Sequence, residues 1–137
     1  MATGHVSPRE AMFLIDEAKK RGVRKIVVTH PLSPIMGYTH EQMKEALERG
    51  ASMMEHVVAD TTLHRKNPID SAVISNAIRA VGSANTILNS DAGQIVNPDP
   101  VPSMENFIYM MLDDGIAQDD IRRMTVDNPA MILGIEL

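Results

Sequence analysis

The run Val23-Arg24-Lys25-Ile26-Val27-Val28-Thr29-His30 ends a continuous β-branched stretch on an imidazole. An unbroken apolar core of this kind belongs to a strand covered on both faces, as in parallel sheets. Three more short runs end in a group able to bind a metal or move a proton. They are Thr3-Gly4-His5, Met53-Met54-Glu55, and Thr86-Ile87-Leu88-Asn89-Ser90-Asp91. Spacing is regular: 25 residues separate His5 from His30 and His30 from Glu55, and 36 separate Glu55 from Asp91. A strand, its helix and the return to a parallel neighbour take about 30 residues. A polar group at the end of every strand is hard to obtain from packing alone.

The intervening segments read as helices. Ser7-Pro8-Arg9-Glu10 forms a capping box with Pro at the first helical position. Ala11, Leu14, Ile15 and Ala18 follow as one apolar stripe, and Gly22 stops the helix. Thr39 and Gln42 make a second box, with Met43, Ala46 and Leu47 inward and Gly50 as the stop. Strands are expected over 23–29, 51–58 and 85–89. Asn67-Pro68 marks a third helix start, running to about residue 81. A Pro-rich loop spans 92–103, and helices follow over 104–114 and 118–126. Asn128-Pro129 caps a last turn closed by Gly134. The order is β-α-β-α-β-α-β-α with an extra terminal helix, which calls for an α/β fold with a parallel sheet. Right-handed crossovers bring His5, His30, Glu55 and Asp91 to one rim.

Composition narrows the class. The 137 residues suffice for a single domain with a core, and 44% hydrophobic with 23% charged content is ordinary for a soluble protein. Net charge is −5 with Lys and Arg dispersed, which argues against a nucleic-acid surface. No run approaches the ~20 apolar residues of a membrane span, and the opening lacks a signal peptide's basic start and apolar stretch. A cytoplasmic protein is expected. With no Cys, any metal must sit on His, Asp or Glu. The 11 Met beside 3% aromatic content read as core filler, with an oligomer contact as the lesser use.

Two imidazoles and a carboxylate make a catalytic metal set that leaves one position for water. His5, His30 and Asp91 are the candidate ligands, with Asp91 also able to take a proton and His30 able to polarise a carbonyl. Against this, a strand-end His has many structural uses, and Asp91 in Asn-Ser-Asp-Ala-Gly can be a turn former. Alternation along the strand points Glu55 or His56 toward the site, not both. His40 falls in a first helical turn and is expected to be exposed. His64, beside Arg65 and Lys66, reads as a loop residue. Tyr38, Gln94 and Asn97 are loop positions that can line a substrate pocket.

Four motifs together resemble the amidohydrolase superfamily, metal-dependent hydrolases on a (β/α)8 TIM barrel. They are Thr3-Gly4-His5 with Ser7-Pro8-Arg9-Glu10, Val28-Thr29-His30-Pro31, Ser90-Asp91-Ala92-Gly93-Gln94 and Asn128-Pro129-Ala130-Met131-Ile132-Leu133-Gly134. The likeness covers nearly the whole chain, as strands five to eight of that barrel in a poorly characterised branch. It implies a parallel (βα)4 half barrel over 1–137. It also implies a divalent metal, zinc foremost, held by His5, His30 and Asp91, with Asp91 as general base and Glu55 or His56 behind the ligands. The reaction implied is attack of metal-activated water on an amide, ester or related bond of a small molecule. The superfamily's first-strand His-x-His pair and fourth-strand bridging group have no counterpart here. A half barrel leaves two open sheet edges, which proteins avoid. The expectation is therefore a truncated sequence or a unit completed by a missing N-terminal half or a second copy. The alternative function is a non-catalytic half-barrel assembly or ligand-binding unit. A third option, a doubly wound ligand-binding domain, is disfavoured because no Gly-x-Gly-x-x-Gly loop follows any strand.

Overall fold

In the computed structural model, which describes residues 1–62 and 66–137, helices α1 (Pro8–Lys20) and α2 (His40–Arg49) start at their capping boxes. His64 lies outside the described residues. Glu10 N–H donates to Ser7 Oγ at 3.4 Å, and Ser7 N–H donates back to the Glu10 carboxylate at 3.0 Å. Thr39 and Gln42 exchange the same pair of bonds at 3.2 and 2.9 Å. Each box satisfies two N–H groups that a helix start otherwise leaves without partners. Gly50 closes α2 at φ 113°, and a Cβ there would stand 2.7 Å from Lys19 Cε. That glycine both ends the helix and lets the end of α1 approach it.

Strands β1 (Val27–Thr29), β2 (Met53–Val57) and β3 (Thr86–Asn89) form a parallel sheet in the order β1-β2-β3. All three are shorter than their apolar runs. The strand expected at the N-terminus is reduced to one parallel bridge, Ala2 with Val27. Gly4 turns the chain at φ 70°, so extended pairing cannot continue to His5. The α/β class therefore holds with a three-stranded sheet in place of four full strands.

Helices α3 (Ser71–Val81), α4 (Pro100–Asp113), α5 (Gln118–Arg122) and α6 (Asn128–Leu133) complete the chain. Three boundaries depart from the sequence expectation. Asp70, whose Oδ1 accepts from Ala72 N–H at 2.8 Å, caps α3 in place of Asn67. Pro100 starts α4 four residues early, taking the first-turn position where its missing N–H costs nothing. Asn128 is not a cap: a π turn over Arg123–Asp127 joins α5 to α6, and Asp127 is already helical. Among the described residues, no helix is long and apolar enough to cross a membrane.

Alternation divides the sheet into two faces. Val28 and Met54 pack with Ala11, Ile15 and Met43 of α1 and α2. Leu88 packs with Ile74, Ile78, Phe107 and Met111 of α3 and α4. Seven of the 11 methionines are buried, as core filler. Val27, Glu55 and Ile87 look the other way and, with Pro129 and Ile132 of α6, line an open cavity of about 480 Å³. Asn128 anchors this last segment, its Nδ2 donating to the Ser83 and Thr86 carbonyls at 2.8 and 2.6 Å. Asn128→Ala leaves two carbonyls short of a donor, so urea unfolding should show a loss of about 2–4 kcal/mol.

His56 sits on the helix-covered face, 2% exposed, and its Nε2 has no partner among the described residues. Burial pushes its pKa down to about 3, with the charges of His30 and His40 acting the same way. The unfolded chain, with an ordinary His pKa of about 6.5, takes up a proton that the fold refuses. This contribution to stability is full above about pH 6.5 and falls away as pH drops toward the folded value. Urea midpoints should therefore decline from about pH 7 to about pH 4, and His56→Gln should flatten that slope.

Candidate functional site

The end of β1 is tied to the N-terminal stretch by two threonines. Thr29 N–H donates to Thr3 Oγ1 at 3.1 Å, and Gly4 N–H donates to Thr29 Oγ1 at 3.2 Å. This reciprocal clamp carries His5, one residue beyond Gly4, to His30, one residue beyond Thr29. Their ring centroids are 5.3 Å apart with planes tilted by 32°. His30 is buried, at 9% exposure, whereas His5 is exposed.

At the end of β3, Asn89 makes bonds in two directions. Its Nδ2 donates to Glu55 Oε1 at 2.5 Å, and its Oδ1 accepts from Asp91 N–H at 3.1 Å. The Asp91 carbonyl in turn accepts from Asn97 Nδ2 at 3.1 Å. Two carboxylates thereby flank His30. Glu55 Oε2 is 3.8 Å from Nδ1, and Asp91 Oδ2 is 3.9 Å from Nε2. Both contacts are longer than hydrogen bonds. Nδ1 is shut off from solvent and has no hydrogen-bond partner among the described residues.

Among the described residues, His30 at φ 44° and Asp91 at φ 47° are the only non-glycines with positive φ. The left-handed region costs an L-residue about 1–2 kcal/mol. Both residues lie within two positions of a strand end and belong to the same cluster. Strain of this kind gathers at functional sites, where surrounding structure holds it in place.

The rim thus gathers His5, His30, Glu55 and Asp91, while His56 points to the opposite face. Tyr38 is packed inward at 6% exposure, its hydroxyl has no partner among the described residues, and burial pushes its pKa up to about 12. Gln94 is exposed, and its carbonyl accepts from Asn97 N–H at 2.9 Å in the turn after Asp91. His40 is half-buried at the start of α2, less open than its position suggested.

Two donors on one tetrahedral ion stand ~3.4 Å apart, given ligand distances of ~2.1 Å. His30 Nε2 and Asp91 Oδ2 are close to that spacing. A third donor does not join them: among the described residues, no three His, Asp or Glu groups stand close enough together to hold an ion. Thr3, Thr29 and Asn89 were not singled out from sequence. The Asn-Ser-Asp triplet did carry a signal for Asn89, since Asn side chains bond backbone N–H two residues ahead.

The model of a family described as a family of unknown function (DUF6282) matches residues 1–55, ending within β2. No curated protein matches the sequence. Among solved structures, N-acetyl-D-glucosamine-6-phosphate deacetylase from Mycobacterium smegmatis is similar, at 18% identity with a TM-score of 0.52. The match covers 95% of this chain and 44% of that one. The fold is similar to part of a TIM-barrel enzyme. The chain spans less than half the length of that deacetylase.

The strain at Asp91 is directly measurable. Asp91→Gly should be more stable than Asp91→Ala by about 1 kcal/mol in urea unfolding, because only glycine enters the left-handed region freely. The reverse order would mean that this φ is not held in solution.

Proposed function

We propose that this chain is the strand five-to-eight half of a metal-dependent hydrolase of the amidohydrolase type, acting on an amide, ester or related bond of a small molecule. The observation that carries this reading is the pairing of His30 Nε2 with Asp91 Oδ2 at 3.9 Å, on two strained residues at the ends of β1 and β3. The four sequence motifs and the likeness to a deacetylase fold point the same way. His30 and Asp91 would hold a divalent ion, zinc foremost, with His5 brought in beside His30. When bound, such an ion supplies Lewis acidity and an activated water. Asp91 would be the general base of such a site, and His30 the alternative group for polarising the substrate. Gln94 and Asn97 belong to the loop offered to substrate, whereas Tyr38 is packed inward. The remaining donors come from a missing N-terminal half or from a second copy in a homo-oligomer. A cytoplasmic setting belongs to the same reading.

Lack of a third convergent donor among the described residues favours a second reading, a non-catalytic assembly unit. Elemental analysis of protein purified without chelator or affinity metal separates the two. The hydrolase reading expects roughly one divalent ion per chain, lost in His30→Ala and Asp91→Asn, together with turnover of amide or ester substrates that the same variants abolish. Metal-free, well-folded protein whose His30→Ala variant changes only its oligomeric state would establish the assembly unit instead.

A further inference from the structure

Glu55 is a charged side chain within the middle strand of a parallel sheet, a setting that ordinarily selects apolar residues. Its surroundings give the charge a use. Asn89 Oδ1 is committed to accepting from Asp91 N–H, so the other end of the amide must be the donor, and it donates to Glu55 Oε1. With Oε1 held by Asn89, Oε2 faces His30 Nδ1.

We propose that Asn89 and Glu55 are positioning residues that fix His30 as the Nδ1–H imidazole, leaving the Nε2 lone pair to face Asp91. The gap of 3.8 Å is too narrow for a bridging water, which needs two bonds of about 2.8 Å set at an angle. A lone pair on Nδ1 would point at a carboxylate oxygen and be repelled. A proton there meets an acceptor after a shift of about 1 Å, and that bond removes the cost of a buried ring nitrogen without a partner. A neutral ring has one N–H, and Asp91 competes for it from the Nε2 side. Burial decides between the two. Nδ1 has no access to water, whereas the Asp91 side chain is 33% exposed against 22% for Glu55. The proton therefore goes to the side where nothing else can satisfy the ring. Its functional meaning rests on the reading of His30 as a metal ligand, because only the unprotonated Nε2 can coordinate an ion shared with Asp91.

The test uses the full chain, treated with chelator and labelled with 15N-histidine. Two-bond 1H–15N correlation spectra are taken on the alkaline side of ring titration, with His30 identified by the signals lost in His30→Ala. The parent should show the Nδ1–H form at His30. Glu55→Gln, nearly isosteric, should shift it toward Nε2–H, and Asn89→Ala should do the same with its fold checked by the amide spectrum. An Nε2–H parent, or an Nδ1–H form retained in both variants, overturns the proposal. Zinc titration of the same samples then tests the reading beneath it, with affinity expected to fall about 10-fold or more in Glu55→Gln. A tautomer that follows Glu55 in a protein that binds no zinc upholds the positioning role and removes the metal-ligand reading. Zinc binding with a tautomer indifferent to Glu55 does the opposite.

Discussion

The register of β2 against its two neighbours is the constraint on which the rest of the molecule depends. Thr29 lies opposite Glu55, and Val57 lies opposite Asn89. A slip of one residue would turn every β2 side chain to the other face. His56 would then occupy the rim, and Glu55 would be driven against Val28 and Leu88 into an apolar layer. The apolar face thus enforces the register, and the register in turn places the one charged residue of β2 where His30 and Asn89 can use it. Core packing and site geometry are here the same choice.

Around that charge the site is assembled from short-range polar bonds rather than from long side chains. Two threonines join the N-terminal stretch to β1, and one asparagine joins β2 to the turn that carries Asp91. Such side chains have few rotatable bonds, so each contact costs little entropy to form. The price appears in the backbone, at two left-handed residues. A scaffold that tolerates this strain must be otherwise well satisfied, and the buried methionines, capped helices and Asn128 contacts supply that margin.

Much of the architecture was legible in the sequence, for local reasons. Capping boxes, helix-ending glycines and β-branched runs act over a few residues, so α1, α2 and the three strands stand close to where their signals put them. Glu55 and His56 illustrate the limit: alternation requires that they diverge, but only the packing of α1 to α4 says which one faces the rim. The N-terminal strand falls short of its signal because Gly4, part of a motif, is also the residue that breaks extended chain. Asn128 carries the local signal of a cap, since Asn before Pro is a common helix start, while its actual partners, Ser83 and Thr86, lie over 40 residues away. The bond between Asn89 and Glu55, 34 residues apart, likewise leaves no local trace.

The sheet order β1-β2-β3 follows the order of the chain, so each strand pairs with the one made just before it. Pairing chain neighbours keeps the loops that must close as short as parallel crossovers allow. During synthesis, where the N-terminal portion emerges first, β1 and β2 can pair with each other while β3 is still to come. Longer-range bonds tie in the C-terminal segment: Asn128 reaches back across more than 40 residues to the entry of β3, and Lys25 Nζ donates to the Met131 and Ile132 carbonyls at 2.6 and 3.0 Å. Asn128 and Lys25 together work as latches set at the end of assembly, and the strand carrying Asn89 gains the Asn128 anchor only when the chain behind it has arrived.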